Sequence, residues 1–266
     1  MVDILIAVAI VSGLGLLFGV GLSYAAKVFE VEVDERVVQV REALPGANCG
    51  ACGFTGCDGY AAAVVEGQVE TNGCPVGGNN VAQQIAAIMG VEPGKIKRTA
   101  ARVLCNGRSS VSNEKYDYQG INSCVAASQL FSGHKACSYG CLGHGDCVAA
   151  CQFDAITITG GIARVIEDRC RACGMCVLAC PKGLIELIDK TKKYSVMCKS
   201  ADKGAVTKSN CQVGCIGCMR CIKVCEHDAI HMDGTLAKID YDKCTNCSQC
   251  SKVCPTMAIR VMDFGE

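Results

Sequence analysis

The pattern of apolar and polar positions divides the chain into one long apolar segment and many short elements after it. Residues 4–26 form a run of 23 residues without a charged side chain. In a helix, which rises about 1.5 Å per residue, this run can cross a hydrocarbon core of about 30 Å. A cleaved signal peptide is the alternative, but the residues before the run lack the basic side chains of such peptides. The pattern therefore predicts a transmembrane anchor over residues 1–26.

The charged residues that flank this segment predict its orientation. Lys27, Arg36 and Arg41 follow the segment, whereas only Asp3 precedes it. Because positively charged flanks are retained in the cytoplasm, the sequence predicts a single-pass protein of the cell membrane whose soluble part lies on the cytoplasmic side. The cytoplasm is reducing, so disulfides are disfavoured in that part.

The remaining pattern predicts short helices and hairpins, which together are typical of an α+β fold. Apolar runs that end at glycine or proline predict three helices. These helices are predicted over residues 35–44, 58–66 and 81–89. Two hairpins are predicted where short β-favouring runs flank the turn pairs Gly160-Gly161 and Asp233-Gly234.

Cysteine is the residue type that changes this picture most. The chain of 266 residues contains 24 cysteines and no tryptophan, and aromatic residues make up only 5% of it. A soluble part with so few large apolar side chains needs additional staples, which the cysteines can supply. In a reducing compartment these staples are thiolate–metal bonds rather than disulfides. The formal net charge of zero argues against a nucleic-acid partner, which would require a basic face.

The first four-cysteine group follows the first predicted short helix. Cys49, Cys52, Cys57 and Cys74 have the spacing C-x2-C-x4-C-x16-C, with glycines that let the backbone fold around an inorganic core. Zinc is the alternative, but zinc sites usually pair two C-x2-C arms. The spacing therefore predicts a 4Fe-4S cluster in a small helical domain over residues 27–100.

Four related cysteine units recur in the second half of the chain. Three of them read C-x2-C-x2-C-x3-C, the run of bacterial ferredoxins, in which the fourth cysteine reaches across to the neighbouring cluster. This crossed pattern predicts two tandem ferredoxin-like domains with two clusters each, over residues 101–210 and 211–266. The predicted ligand sets are Cys170, Cys173, Cys176 and Cys151; Cys137, Cys141, Cys147 and Cys180; Cys215, Cys218, Cys221 and Cys254; and Cys244, Cys247, Cys250 and Cys225.

The cysteines outside the regular runs leave two questions open. The set that contains Cys137, Cys141 and Cys147 opens with the spacing C-x3-C-x5-C, so its cluster type is not fixed by the pattern. The five sets use 20 cysteines and leave Cys105, Cys124, Cys198 and Cys211. By their number these four could hold a sixth cluster, and the alternative is four buried cysteines without metal.

The cluster motifs predict electron transfer rather than bond chemistry. The sequence has no phosphate loop, no dinucleotide fingerprint and no nucleophile–base signature, so no catalytic residue is predicted in this chain. The anchor predicts that electrons are exchanged with a membrane complex. An iron–sulfur carrier or assembly protein at the membrane is the alternative, although crossed ligation buries and fixes clusters. A third hypothesis, a corrinoid iron–sulfur enzyme, lacks a visible corrinoid-binding domain.

In the order of its motifs the chain resembles the B subunits of the Rnf complexes, the ion-translocating ferredoxin:NAD+ oxidoreductases. The resemblance rests on the apolar segment, on Cys49 to Cys74 in GANCGACGFTGCDGY, and on the ferredoxin repeats, which together span almost the whole chain. It implies a subunit that takes low-potential electrons from soluble ferredoxin and passes them through 4Fe-4S clusters toward NAD+ reduction, coupled to Na+ or H+ transport.

The resemblance also implies the partners of the chain. They are soluble ferredoxin, other subunits that bear flavin or bind NAD, and membrane lipid along residues 4–26, with no catalytic nucleotide site in this chain. Residues 101–266 carry 20 basic and 16 acidic side chains, so electrostatic docking of ferredoxin on this part is a further hypothesis.

Overall fold

A computed structural model describes residues 2–29, 34–94 and 96–261. The helices in these residues are α1 (Val2–Val28), α2 (Glu35–Ala43), α3 (Cys57–Val65), α4 (Gly78–Met89), α5 (Cys124–Gln129), α6 (Asp146–Ala149), α7 (Met175–Ala179), α8 (Gly204–Asn210), α9 (Arg220–Lys223) and α10 (Gln249–Lys252). The strands are β1 (Thr99–Val103), β2 (Ile156–Thr159), β3 (Ile162–Val165), β4 (Ile185–Asp189), β5 (Tyr194–Val196), β6 (Ile230–Asp233), β7 (Leu236–Ile239) and β8 (Ile259–Val261). Short helices and strands alternate along most of the chain.

Helix α1 agrees with the predicted membrane anchor. It is 27 residues long, and its segment Val8–Val28 is long and apolar enough to cross a membrane. The large apolar side chains along this segment are exposed in the isolated chain, as expected for a helix that packs against lipid rather than against its own protein.

Helices α2, α3 and α4 enclose a small core of their own. Val40, Tyr60, Val64 and Ile85 are buried there against one another. Asp34 caps α2 by accepting a hydrogen bond from the backbone N–H of residue 36. The three predicted helices of this region are confirmed, with ends that differ from the prediction by up to three residues.

Four two-stranded antiparallel sheets form the rest of the framework. The hairpins β2–β3 and β6–β7 confirm the two sequence predictions. An outer pair accompanies each hairpin, because β1 pairs with β4 and β5 pairs with β8. Neither outer pair follows from the local pattern, since its strands lie far apart in sequence. Strand β5 precedes the predicted domain boundary at residue 210, yet it pairs with β8 from beyond that boundary.

The outer pairs meet through a buried arginine. Arg102 on β1 is only 1% exposed, and its guanidinium donates hydrogen bonds to Ser195 Oγ on β5 (3.4 Å) and to the carbonyl oxygen of Asp189 on β4 (3.5 Å). Ser195 Oγ also shares a hydrogen bond of 2.8 Å with the hydroxyl of Tyr241. This network ties the β1–β4 pair to the β5–β8 pair.

Candidate metal centres

All 24 cysteines lie in the described residues and are free thiols. They collect into six groups of four, numbered here by spatial succession. Group 1 is Cys49, Cys52, Cys57 and Cys74; group 2 is Cys151, Cys170, Cys173 and Cys176; group 3 is Cys124, Cys141, Cys147 and Cys180; group 4 is Cys105, Cys137, Cys198 and Cys211; group 5 is Cys215, Cys218, Cys221 and Cys254; group 6 is Cys225, Cys244, Cys247 and Cys250.

Group 1 surrounds a cavity at the start of α3. The backbone N–H of Cys57 donates to Asn48 Oδ1 (2.8 Å), which fixes the loop between the early cysteines and the helix. The remote Cys74 accepts a hydrogen bond on its sulfur from the N–H of Gly77 (3.4 Å). Tyr60 holds the segment before Cys74, because its hydroxyl accepts from the N–H of Gly73 (2.9 Å). The four predicted ligands of this domain are therefore brought together.

Groups 2, 5 and 6 contain the same cysteines as three of the crossed sets predicted from the ferredoxin runs. Burial, and then the three sulfurs of its own group, raise the pKa of Cys176 in group 2 to about 12. Burial and the neighbouring sulfurs of group 5 raise the pKa of Cys221 to about 11, and the same causes act on Cys250 in group 6. In each case the remote cysteine of the partner run is among the neighbours. The polypeptide thus places the fourth sulfur of each run beside the other run.

Groups 3 and 4 differ from the prediction by one exchange. The structure places Cys124, not Cys137, around the cavity that Cys141, Cys147 and Cys180 line. Burial and then Cys141, Cys124 and Cys180 raise the pKa of Cys147 to about 12. Cys137 instead lines the cavity of Cys105, Cys198 and Cys211.

Asp146 provides the physical reason for the exchange. Its carboxylate, at the start of α6 and next to Cys147, accepts hydrogen bonds from the backbone N–H groups of Cys124 (2.8 Å) and Val125 (3.0 Å) and from Ser123 Oγ (2.9 Å). Helix α5 therefore begins against the Cys147 loop and carries Cys124 into group 3. The irregular C-x3-C spacing of Cys137 was the only local signal that this set differs from the others.

Group 4 lies between the two strand frameworks. Cys105 follows β1, Cys198 follows β5, and Cys211 follows α8. The N–H of Cys141 donates to Cys105 Sγ (3.4 Å), and the N–H of Ser200 donates to Cys198 Sγ (3.5 Å). Burial raises the pKa of Cys198 to about 12. The four cysteines that the sequence left without a motif are thus split, with three of them in group 4.

A repeated backbone contact stabilises the sulfurs of the four ferredoxin-type units. In each unit the last cysteine accepts a hydrogen bond from the N–H four residues later. These bonds join Ala155 to Cys151 (3.4 Å), Leu184 to Cys180 (3.5 Å), Ala229 to Cys225 (3.3 Å) and Ala258 to Cys254 (3.2 Å). Hydrogen bonds from N–H groups to sulfur favour the thiolate and tune the potential of an iron–sulfur centre.

The spacing of the sulfurs fits an iron–sulfur core better than a single ion. A zinc ion requires its ligands about 2.3 Å from one point, which draws the sulfurs close together. Among the described residues, no three cysteine, histidine or carboxylate groups converge closely enough to hold a single metal ion. The cavities of groups 1, 3, 4 and 6 instead enclose between 320 and 410 Å³ of empty space. Four thiolates around such a cavity suit a 4Fe-4S core.

The six groups succeed one another in single file. The charge of Cys49 in group 1 is among the causes that raise the pKa of Cys173 in group 2, after burial. In the same way Cys176 of group 2 acts on Cys147 of group 3, and Cys105 of group 4 acts on Cys141 of group 3. Cys215 of group 5 acts on Cys198 of group 4. Helix α9 connects group 5 to group 6.

Comparisons with known families match the cysteine regions. A family model described as an Fe-S cluster matches residues 44–76, a 4Fe-4S binding domain matches residues 163–186, and a 4Fe-4S dicluster domain matches residues 206–261. These matches cover group 1 and the runs that contribute most of groups 2, 5 and 6.

Three relatives are similar over nearly the whole chain, and each is the B subunit of a membrane redox complex. That of the Na(+)-translocating ferredoxin:NAD(+) oxidoreductase complex of Acetobacterium woodii is 45% identical over 96% of this chain and 77% of that protein. That of the ion-translocating oxidoreductase complex of Methanosarcina acetivorans is 43% identical over 96% of this chain and 97% of that protein. That of the proton-translocating ferredoxin:NAD(+) oxidoreductase complex of Clostridium ljungdahlii is 39% identical over 100% of this chain and 95% of that protein.

Proposed function

Because this chain belongs to the family of B subunits of the ion-translocating ferredoxin:NAD+ oxidoreductase complexes, we propose that groups 1 to 6 each hold a 4Fe-4S cluster and together form its path for electrons. The chain is an electron-transfer subunit of such a complex. When bound, these clusters supply one-electron carriers whose potentials depend on burial, charge and hydrogen bonds to sulfur. The chain's own residues hold the sulfurs, exclude water and set the order of the sites.

The single file of groups is the observation that carries this proposal. Each group lies close enough to the next for their sulfurs to interact electrostatically, and group 4 occupies the position between groups 3 and 5. Without a cluster in group 4 the file would be interrupted between the two strand frameworks. A sixth cluster on Cys105, Cys137, Cys198 and Cys211 is therefore part of the proposal.

The two ends of the file differ in what they face. Group 1 lies in the helical region that follows α1, so we assign it the transfer to membrane and flavin-bearing partners. Group 6 contains Cys247, one of the two exposed cysteines, so we assign it the contact with reduced soluble ferredoxin. In this arrangement α1 lies in lipid, the rest of the chain lies on the cytoplasmic side, and NAD+ binds elsewhere in the complex. The relatives' names include both Na+ and proton translocation, and either ion is compatible with this chain's role.

The iron content of the anaerobically purified full chain tests the cluster count. We expect about 24 iron atoms and as many acid-labile sulfides per chain, with low-potential four-iron EPR signals in a redox titration. About 20 iron atoms would contradict a cluster in group 4. Zinc in place of iron would contradict the electron-transfer role of the groups altogether.

An iron–sulfur carrier is the second candidate from the sequence, and burial argues against it. Of the 24 cysteines, 22 are buried or half-buried, and only Cys218 and Cys247 are exposed. A carrier that hands its cluster to another protein needs accessible ligands at the cluster it donates. Incubation with an apo-acceptor should leave the iron content unchanged, and transfer of iron to the acceptor would favour the carrier.

A further inference from the structure

A buried lysine lies in the wall of the group 4 cavity. Lys135 is only 2% exposed and lines this cavity together with Cys137. Its ammonium donates hydrogen bonds to the carbonyl oxygens of Gly107 (2.9 Å) and Gly161 (3.0 Å). Lysine is rarely buried without a charged partner, because removal of its charge from water is costly. A partner of opposite charge is therefore expected near it.

No carboxylate in the described part of the chain forms an ion pair with Lys135. Lys199, the other lysine of the cavity wall, is paired with Glu186 and so contributes little net charge. Asp202 is the acidic group that acts on Cys137, and its oxygens interact with Ser200 rather than with Lys135. The nearest candidate for an opposite charge is therefore the group of sulfurs itself.

The sulfurs around Lys135 respond to its charge. Burial raises the pKa of Cys211 and of Cys141, and the ammonium of Lys135 is among the neighbours that oppose this rise. The same ammonium therefore stabilises negative charge on group 4 and, across the wall, on group 3. Inside a protein such an interaction is weakly screened by solvent and salt.

The cavities of groups 1, 3 and 6 have no equivalent cation among the residues described. Those of groups 1 and 6 have no lysine or arginine in their described walls. The cavity of group 3 has Lys182, which is half-buried and donates to the carbonyl oxygens of Ser132 (2.7 Å) and Ser138 (2.9 Å). The carboxylate of Asp146 lines the same cavity and offsets that charge. A fully buried lysine without a carboxylate partner is thus found, among these four cavities, in the wall of group 4.

We propose that Lys135 raises the reduction potential of the cluster in group 4 above that of its neighbours and so makes this centre the place where an electron rests between the two ends of the file. The inference relies on the proposed function, since it requires a cluster in group 4. Reduction adds one negative charge to the cluster, and a buried positive charge stabilises the reduced state more than the oxidised state. Lys135 is a positioning residue in this sense, because it acts through the charge that it holds beside the sulfurs.

A redox titration of the full chain, followed by EPR, tests this proposal. The signal of group 4 is first identified as the four-iron signal that disappears, or becomes a three-iron signal, in Cys211→Ala. In Lys135→Met, which keeps the length of the side chain and removes its charge, the midpoint potential of that signal should fall. In Lys135→Arg it should stay near the wild-type value. Lys182→Met is the matched control and should shift the same signal less, because Lys182 is more exposed and lines the cavity of group 3.

The outcomes separate the lysine's role from the presence of the cluster. An unchanged midpoint in Lys135→Met, with the cluster intact, overturns the proposal and leaves the six-cluster path standing. If Cys211→Ala removes no four-iron signal, group 4 holds no such cluster, and both proposals fail. Should Lys135→Met lose the cluster, Lys135→Gln, which keeps a donor for the two carbonyls, takes its place in the titration. Loss of the cluster in both neutral variants assigns Lys135 to assembly and overturns the tuning role.

Discussion

At the scale of single residues, the choice of the remote cysteine decides which centres form. A run such as C-x2-C-x2-C fixes three ligands locally, but the fourth is supplied by tertiary structure. In group 3 that supply depends on Asp146, whose carboxylate holds the first turn of α5 and with it Cys124. One side chain thus determines which of two cysteines approaches Cys147.

Paired cysteine variants test this exchange. We expect Cys124→Ala to alter the same EPR signal as Cys147→Ala, and Cys137→Ala to alter the same signal as Cys211→Ala. The reason is that each pair shares a cavity in the structure. If Cys137→Ala and Cys147→Ala altered one common signal while Cys124→Ala altered another, the grouping predicted from the sequence spacing would be the correct one.

Asp146 itself should contribute to stability through its capping contacts. Asp146→Ala removes the acceptor for three donors at the start of α5, and caps of this kind contribute about 1 kcal/mol. We expect the variant to lose group 3 absorbance at a lower temperature than the wild type under anaerobic conditions. Asp168→Ala is a suitable control, because Asp168 is exposed and no hydrogen bond to its carboxylate is found in the described structure. Equal effects in the two variants would count against a capping role.

At the scale of elements, the repeats show what can be predicted from sequence and what cannot. The hairpins β2–β3 and β6–β7 were predictable, because Gly160-Gly161 and Asp233-Gly234 encode tight turns between adjacent strands. The outer pair β5–β8 was not, because its register depends on contacts between distant segments. The exchange of Cys124 and Cys137 has the same origin, since it follows from the packing of α5 rather than from any spacing.

The repeats also differ at two left-handed backbone positions. Gly174 and Gly183 in the first framework have φ of +77° and +58°, and the equivalent positions in the second are Met219 (+58°) and Met257 (+53°). A side chain in this conformation costs about 1–2 kcal/mol. Both methionines are exposed, so little packing is lost on their removal.

We therefore expect Met219→Gly to stabilise the second framework by about 1 kcal/mol, since glycine adopts this conformation without strain. The anaerobic temperature at which the cluster absorbance is lost should rise by a few degrees. Met175→Gly is the matched control, because Met175 lies inside helix α7, where glycine costs about 1 kcal/mol. A decrease in stability for Met219→Gly would mean that the methionine makes a contact worth more than its strain.

At the scale of the whole molecule, a single file of centres confines electron exchange to its ends. Groups 2 to 5 have neighbours on both sides, so partners that supply or remove electrons are expected at groups 1 and 6. Charge distinguishes these ends as well. Residues 190–261 carry 12 lysine and arginine side chains against 6 aspartate and glutamate side chains, whereas residues 27–100 carry 6 against 9. An acidic electron donor would therefore be attracted to the group 6 end.

Charge reversal beside group 6 tests where ferredoxin docks. Lys193 and Lys243 are exposed, and the N–H of Lys193 donates to Asn246 Oδ1 (2.9 Å) in the loop that carries Cys244 and Cys247. At low ionic strength, Lys193→Glu combined with Lys243→Glu should slow the oxidation of reduced ferredoxin by about tenfold, because steering by opposite charges is lost. Added salt should narrow the difference from the wild type, since screening weakens the attraction in the wild type. Lys97→Glu, an exposed position ahead of β1, should have a much smaller effect. A rate that is independent of salt, or equal effects at the two sites, would place ferredoxin elsewhere on the chain.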